Sequence, residues 1–141
     1  MSIWTHVAGV IRFDSLRDLM PGRMWTPNLG TPAYYEDEGL NLVGDWDKCD
    51  VPHGSEGSLR WQIWDNPSKN SMASHTVSIW GDLRDYENVQ EVVDYFNRIT
   101  KGQHVRQACF TVEVEYREPR TFVYVGDSNI GITDGKFMEV K

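Results

Sequence analysis

The sequence predicts an α+β fold, a ferredoxin-like βαββαβ sandwich with a long acidic loop insertion and extra C-terminal strands. Short segments alternate between apolar and polar residues, which is typical of strands, and one segment carries the apolar stripe of a helix. Along the chain these segments follow the order strand, helix, strand, strand, helix, strand. An antiparallel sheet with one packed helix is the alternative. The 141 residues fit one domain, residues 1–141.

The first part of the chain predicts one strand, one short helix and a long loop. Residues 3–13 place their apolar side chains at even spacing, as one buried face of a strand requires. Residues 14–20 then predict a short helical turn with an acidic or hydroxyl cap, and a Pro-Gly pair ends it. Residues 23–58 show no sustained period, so we expect an excursion loop with one short strand at residues 40–43.

Two strictly alternating segments predict the next strands. Residues 59–64 and 76–80 are expected to form an antiparallel pair, because a polar segment rich in turn residues joins them. Leu59, Trp61 and Ile63 share one face of the first of these strands, and we expect that face to be buried in the core.

The helix that follows has the clearest pattern in the chain. Asn88 and Glu91 match a capping box at its start, and Gly102 stands where a left-handed C-cap belongs. Apolar residues recur along this segment at intervals of three and four, which is the stripe of an amphipathic helix. They are Val89, Val92, Val93, Phe96 and Ile99.

The C-terminal part predicts further strands. Residues 110–116 alternate, with Tyr116 on the apolar face, and residues 121–125 follow a Glu-Pro turn. An Asp-Gly pair between residues 130–133 and 136–138 favours a small terminal hairpin. Cys109 continues the pattern of the first of these strands, so we expect it to be packed.

Negative charge is concentrated in one segment. The formal charge of the chain is −7, and seven acidic residues against Lys48 place −6 of it between residues 36 and 56. Such a segment is suited to a cationic partner or to a bound cation. With a pI near 5.0 and no basic cluster, the chain lacks the electrostatic footprint of a nucleic-acid binder, so no direct nucleic-acid binding is expected.

The composition also indicates a compartment. No apolar run approaches the roughly 20 residues of a membrane span, and the first residues lack the basic and apolar regions of a signal peptide. Cys49 and Cys109 are more consistent with free thiols than with a disulfide framework. Acidic neighbours are expected to raise the pKa of the Cys49 thiol. We therefore expect a cytoplasmic protein with no membrane partner and no cofactor.

Two loop motifs are candidates for ligand binding. Oxygen donors between residues 45 and 56 invite comparison with a calcium loop, but position six of that motif needs glycine and here holds aspartate. The weak metal candidates are Asp45, Asp47, Asp50 and His53, and a solvated acidic loop is the alternative. The glycine-rich segment that follows could hold a phosphate, although it precedes a strand rather than a helix. Its candidates are Ser55, Ser58, Arg60 and Arg84, and a simple strand entry is the alternative.

No motif in the chain identifies catalytic residues. An enzyme would draw on the carboxylates at strand ends, namely Asp14, Asp82, Asp85 and Glu113. Asp14 and Asp82 are better interpreted as turn and cap residues. We therefore predict that the protein is not an enzyme. A metal-dependent hydrolase built around the acidic loop is the alternative.

Aromatic residues accompany the acidic segment. Exposed Trp and Tyr side chains are preferred anchors of binding surfaces, because they combine a large contact area with few rotatable bonds. A second core layer beneath the long loop is the alternative, and it applies to Trp25 as well. The partner-binding candidates are Tyr34, Tyr35, Glu36, Asp37, Glu38, Trp46, Trp64 and Trp80.

Three segments resemble small, uncharacterised proteins of tailed bacteriophages. They are residues 54–59 (Gly-Ser-Glu-Gly-Ser-Leu), 64–67 (Trp-Asp-Asn-Pro) and 77–86 (Val-Ser-Ile-Trp-Gly-Asp-Leu-Arg-Asp-Tyr). The resemblance implies an accessory protein made in the host cytoplasm, of the kind that inhibits or sequesters a component of bacterial defence without catalysis. The resemblance covers roughly residues 50–100, contains no catalytic motif and assigns no role to any residue.

The sequence therefore predicts a non-enzymatic binding protein with an acidic, aromatic-rich surface. A host protein would be steered by the acidic residues and anchored by the aromatic ones. A nucleotide-like ligand would stack on the aromatic residues and place its phosphate against Arg60 or Arg84. A phage structural or assembly protein is a further alternative, and each of these is compatible with a homo-oligomer.

Overall fold

The computed structural model describes residues 2–14, 28–36, 42–65, 73–126 and 135–141. This part of the chain contains eight strands and one helix. The strands are β1 (Trp4–Asp14), β2 (Tyr34–Glu36), β3 (Leu42–Gly44), β4 (Arg60–Asp65), β5 (Ala73–Arg84), β6 (His104–Val114), β7 (Arg120–Val125) and β8 (Lys136–Val140), and the helix is α1 (Val89–Thr100).

Six strands form one antiparallel sheet in the order β4-β5-β1-β6-β7-β8, and β2 pairs with β3 in a separate ribbon. β1 lies between β5 and β6 and is antiparallel to both. Because α1 connects β5 to β6, the chain crosses from one side of β1 to the other through this helix. The fold is therefore α+β, an antiparallel sheet with one packed helix in the described residues, as the alternative prediction has it.

The ferredoxin-like sandwich requires a second helix, which the sequence predicts at residues 14–20. Residues 15–27 lie outside the described residues, and Asp14 closes β1. The βαββαβ arrangement therefore stays a prediction. The extra C-terminal strands are present as β7 and β8.

One face of the sheet lies under α1 and is termed the covered face. The odd-numbered residues of β1 point to it, because side chains alternate between the two faces of a strand. The neighbouring strands show the same alternation of buried and exposed positions. The buried apolar residues of the three central strands include Val7, Ile11, Phe13, Val77, Ile79, Leu83, Phe110, Val112 and Val114.

An aromatic stack joins the helix to the covered face. Phe96 of α1 lies parallel to Phe110 of β6, with 3.9 Å between the ring centroids. Phe122 and Phe137 lie 4.9 and 5.0 Å from Phe110 on the next two strands. Gly9 of β1 leaves room for the stack, because a Cβ there would lie 2.7 Å from the Phe110 Cβ and 3.1 Å from the Phe96 Cζ.

The helix confirms its sequence prediction closely. The Asn88 side chain accepts a hydrogen bond from the Glu91 backbone N–H at 3.1 Å, and Gly102 beyond the helix adopts a φ of 75°. Val92, Val93, Phe96 and Ile99 are buried, as the apolar stripe predicts. The Glu91 carboxylate accepts from the Tyr86 hydroxyl at 2.6 Å.

The other face of the sheet is termed the open face, because no described helix lies on it. The even-numbered residues of β1 point to it, together with the residues registered against them on the neighbouring strands. Six of the nine exposed large apolar side chains among the described residues lie there. They are Val10, Trp64, Trp80, Val125, Met138 and Val140.

Several sequence predictions about single residues are wrong. Ile63 is 39% exposed rather than buried, because β4 is an edge strand away from α1. Cys109 is exposed, because its register with Val10 places it on the open face. Tyr116 is 79% exposed because β6 ends at Val114 and the chain turns there.

Strand lengths and pairings also differ in three places. The second strand of the predicted antiparallel pair, β5, continues to Arg84, so Asp82 is a strand residue and neither a turn nor a cap. The long loop contains the ribbon β2–β3, of which the sequence predicted only the second strand. β8 pairs with β7, whereas the predicted hairpin partner at residues 130–133 lies outside the described residues. No described helix has the length and apolar character needed to cross a membrane.

Candidate functional site

A groove of ≈ 350 Å³ lies between α1 and the segment that precedes β4. Residues 49–53 form one wall, and one edge of α1 forms the other. The groove is therefore the place where the acidic segment of the sequence meets the helix. It is lined by Cys49, Asp50, Val51, Pro52, His53, Glu91, Asp94, Tyr95 and Arg98.

The helix wall follows from the spacing of its residues. Glu91, Asp94 and Arg98 stand three and four residues apart, so they share one edge of α1. Tyr95 points inward between them, and its hydroxyl donates a 2.7 Å hydrogen bond to the Leu29 carbonyl. Burial raises the pKa of Tyr95 above its ordinary value, so the hydroxyl stays a donor. The helix wall is thereby tied to the chain that precedes β2.

The loop wall is held in place by contacts on three sides. Val51 is 3% exposed and packs in the core. The Asp50 carboxylate accepts a 2.5 Å hydrogen bond from the Thr31 backbone N–H. The Leu59 backbone N–H donates to the Pro52 carbonyl at 3.0 Å, where the chain enters β4. The groove is thus preformed rather than dependent on a ligand for its shape.

The charge of the groove is predominantly negative. Asp50, Glu91 and Asp94 contribute three carboxylates, and Arg98 contributes one guanidinium. The Arg98 guanidinium lies over the Tyr95 ring, 5.4 Å from its centroid, which is a cation–π contact. Because the carboxylates outnumber the guanidinium, the groove attracts a cationic group.

An exposed aromatic residue stands beside the groove. Trp46 is 38% exposed, and its ring lies 5.6 Å from that of His53, measured between centroids. His53 itself lines the groove. Of the predicted partner-binding residues whose side chains the structure describes, Trp46 is therefore the one beside the acidic groove.

Cys49 and His53 are close together, but they do not form a nucleophile and base. The Cys49 Sγ and the His53 Nδ1 are 3.6 Å apart. His53 Nδ1 also lies 2.9 Å from the Val51 carbonyl, which can only accept, so this nitrogen carries a proton and cannot take one from the thiol. Burial, with the charge of Asp50 adding to it, raises the pKa of the Cys49 thiol, as the sequence predicts.

The predicted metal candidates do not converge on one point. Asp50 and His53 line the groove, but each is engaged with a backbone group. Asp45 lies 3.9 Å from the Lys48 ammonium. Within the described ranges, no three His, Cys, Asp or Glu side chains are arranged to hold a metal ion.

Three of the four predicted phosphate candidates have structural partners. Ser58 is buried, and its hydroxyl accepts from the Ala33 backbone N–H at 3.0 Å. Ser55 donates to Asp85 at 3.0 Å, and the Arg84 guanidinium lies 3.2 Å from the Glu56 carboxylate.

The glycines of this segment serve close packing against β5. A Cβ at Gly54 would lie 2.1 Å from the Arg84 carbonyl oxygen, and a Cβ at Gly57 would lie 1.9 Å from that of Asp82. Gly57 also adopts a φ of 80°. These contacts favour the alternative interpretation, a strand entry.

The other predicted site residues lie elsewhere. Trp64 and Trp80 are on the open face, with Arg60 registered against Trp80. They are therefore separated by the sheet from the groove at α1. Tyr34, Tyr35 and Glu36 form β2, whose side chains are outside the described part, and Asp37 and Glu38 lie outside the described residues.

A second polar cluster, on the open face, was not predicted as a unit. His6 Nδ1 lies 2.6 Å from the Asp82 carboxylate, and His6 Nε2 lies 3.2 Å from Glu115. Hydrogen bonding to Asp82, and then to Glu115, raises the pKa of His6. A cleft of ≈ 320 Å³ lies beside it, with Trp80, Thr111 and other residues along its walls. Only the register of β1 against β5 and β6 brings these three side chains together.

Comparisons with family models, with curated proteins and with solved structures found no match for this chain.

Proposed function

We propose that the protein is a non-enzymatic binding protein that captures a cationic segment of a protein partner in the groove between residues 49–53 and α1. The observation that carries this proposal is the convergence of Asp50, Glu91 and Asp94, from two separate elements, on one preformed groove. Opposite charges attract more strongly in a partly desolvated groove than on an open surface. Trp46 beside it supplies the aromatic contact that anchors a partner.

A protein partner is favoured over a nucleotide-like ligand. A phosphate needs unpaired donors and cations close together, yet the Arg84 guanidinium pairs with Glu56 and the Ser55 and Ser58 hydroxyls have backbone or carboxylate partners. Arg60 lies on the open face in register with Trp80, on the other side of the sheet from the groove. The described groove has more carboxylates than cations. Negative charge of this kind would repel a nucleotide and attract lysine or arginine.

The biological setting of the proposal rests on the resemblance to small phage proteins. We propose that the protein belongs to the phage-encoded accessory proteins that act in the host cytoplasm and inhibit or sequester a component of bacterial defence.

As the finer form of the fold, we propose that the segment after Asp14, up to residue 20, supplies the second helix of a ferredoxin-like sandwich. The strand order β4-β5-β1-β6 is compatible with that arrangement. Backbone chemical shifts of residues 14–20 would test it.

The test compares capture of partners from a bacterial lysate by the parent and by a triple variant, Asp50→Asn, Glu91→Gln and Asp94→Asn. Each amide keeps the acceptor oxygen that its carboxylate uses towards Thr31, Tyr86 or Gln90, so the fold is preserved. We expect the parent to retain a defined protein in low salt and to release it as salt rises, because screening weakens charge attraction. The triple variant is expected to lose that protein.

The matched control removes three carboxylates that do not line the groove: Glu87→Gln, Glu118→Gln and Glu139→Gln. This variant changes the net charge by the same amount and is expected to retain the partner. Equal loss from both variants would show that only net charge matters. Equal retention by both would show that the groove is not the binding site, and either result would contradict the proposal.

A further inference from the structure

The middle of the open face is more apolar than the water-facing side of a sheet normally is. In antiparallel sheets with one face in water, the outward positions are mostly polar. Here Val10, Cys109, Val123 and Met138 follow one another across four adjacent strands. Val140 stands one row away and is 54% exposed. Apolar patches with a polar rim mark interaction sites.

The face is large enough to form a stable interface. Six strands about 4.8 Å apart, over about 20 Å of their length, present roughly 600 Å² per copy and roughly 1,200 Å² per pair of copies. A specific interface between two proteins needs about 1,000 Å² in total. Two sheets can also pack face to face at about 10 Å, with interdigitating side chains.

The charges of the open face are separated along the strands. At one end, His6 stands between Asp82 on β5 and Glu113 on β6, and Glu115 contacts the same histidine. At the other end, Arg12 stands between Thr76 and Gln107. Arg84 at the first end is paired with Glu56, and Arg60 stands one row nearer the middle. The described face therefore has an excess of carboxylates at one end and Arg12 at the other, with the apolar row between them.

This arrangement of charges allows the open faces of two copies to be complementary in one kind of two-fold dimer. An isologous interface places the same patch of two copies against each other. If the axis runs across the strands at the level of Gly9, each strand faces the same strand of the second copy, and the two run in opposite directions. Residues 6 and 12 are equally distant from residue 9, so Arg12 of each copy then faces His6, Asp82 and Glu113 of the other.

The apolar positions agree with the same axis. Residues 8 and 10 are also equally distant from residue 9, so Val10 faces Ala8 of the other copy. On β8 the same operation places Met138 opposite Val140, because their registers follow those of Val10 and Ala8 through the intervening strands. Apolar contacts are thus made at the centre of the interface and charged contacts at its ends, as in typical interfaces.

A two-fold axis directly along β1 would not be complementary. It would place Arg12 opposite Arg12, and Asp82 opposite Glu113, because β5 and β6 lie on either side of β1. Like charges facing each other across an interface are strongly unfavourable. Of these two axes over β1, the charges therefore favour the one that runs across the strands.

We infer that this protein forms a homodimer through its open face, with the two-fold axis running across the strands at the level of Gly9. The second copy buries the exposed apolar side chains, and Arg12 pairs with the acidic end of its partner. The groove at α1 lies on the other side of the sheet and stays accessible in both copies. The inference does not depend on the function proposed for the groove.

The first test is analytical ultracentrifugation together with the reactivity of Cys109 in a Cys49→Ser background. We expect the mass to rise with concentration from 16.3 kDa to twice that value. Cys109 is exposed in one copy and covered in the dimer, so its reaction with a thiol reagent should slow in parallel with the dimer fraction. A chain that stays monomeric, or a dimer whose Cys109 reacts as fast as in the monomer, would overturn the inference.

The second test exchanges the charges across the interface. Arg12→Glu should weaken dimerisation about tenfold, because it places carboxylates opposite carboxylates. Adding Glu113→Arg to that variant should restore the dimer. Lys101→Glu, at the end of α1, changes the net charge by the same amount and should leave dimerisation unchanged. Dimerisation that responds equally to Arg12→Glu and Lys101→Glu, or a double variant weaker than Arg12→Glu alone, would contradict the proposed axis.

Discussion

The two faces of the central sheet are built from the same strands, yet they play different physical roles. On the covered face, Phe96 of the helix stacks on Phe110, and the apolar side chains are sealed from water. On the open face, Val10 and Trp80 remain exposed at 41% and 38%. Alternation in the sequence determines which residues share a face. Alternation does not determine what covers each face. That depends on other elements of the chain, such as α1, or on another molecule.

The difference between the two faces predicts different effects of substitution on stability and on association. Substitutions on the covered face are expected to act on the free energy of unfolding, because they leave cavities or overpack the core. Substitutions on the open face and in the groove are expected to act on binding, because their side chains have water on one side.

The largest effect is expected from Phe96→Ala. Phe96 is fully buried and stacks on Phe110, so its truncation should lower the free energy of unfolding by about 3–5 kcal/mol. Trp80→Ala removes a larger aromatic side chain from the open face and serves as the control. At a concentration where the protein is monomeric, it should lower the free energy of unfolding by less than about 1 kcal/mol. Urea denaturation of both variants measures the difference, and equal losses would contradict the contrast between the faces.

A smaller effect is expected from Gly9→Ala. The added Cβ would meet the Phe110 Cβ and the Phe96 ring, so the stack must shift. Overpacking of this kind should lower the free energy of unfolding by about 1–3 kcal/mol. Ala8→Ser, at the neighbouring position on the open face, is the control and should change it little. A Gly9→Ala variant as stable as the parent would show that the aromatic stack does not depend on this glycine.

The smallest effect is expected at His6, and it depends on pH. Hydrogen bonds to Asp82 and Glu115 raise the pKa of His6 above its ordinary value of 6.5. Its protonated form therefore stabilises the fold fully below pH 6.5, and this contribution is lost as the pH rises through the raised pKa. The pairing also lowers the pKa of Glu115, so the contribution weakens again in acid as that carboxylate is protonated.

Melting temperatures of the parent and of His6→Gln across this pH range measure that contribution. The parent should exceed the variant by most in mildly acidic solution, and the gap should close in alkaline solution. A gap that stays constant, or that widens as the pH rises, would show that His6 does not contribute through its charge.

Local patterns in the sequence predicted much of the fold. The buried positions of Val92 and Phe96 follow from helical spacing alone. The N-cap follows from Asn88 and from Glu91 three residues later. Ile63 shows the limit, because alternation assigns it a face but not its place on an edge strand. Whether a strand lies at the edge or in the centre of the sheet depends on the strand order. No local sequence pattern contains that order.

The candidate site was predictable only in part. The acidic segment and Trp46 are visible in the sequence, but the opposite wall of the groove lies on α1, where local patterns assign Glu91 a capping role and Asp94 no role. The clustering of His6 with Asp82 and Glu115 depends on strand register. His6 is more than 70 residues away from each of these carboxylates along the chain. Only the folded sheet brings them together.

Site-specific photo-crosslinking in a bacterial lysate tests most directly whether the acidic groove is the binding site. A photoreactive phenylalanine derivative replaces Trp46 beside the groove in one variant and Met138 on the open face in another. We expect that position 46 captures a defined partner protein, that Glu91→Gln with Asp94→Asn abolishes this adduct, and that position 138 does not capture it. Capture of the same partner from position 138, or an adduct at position 46 that survives both amide substitutions, would contradict the claim that the acidic groove is the binding site.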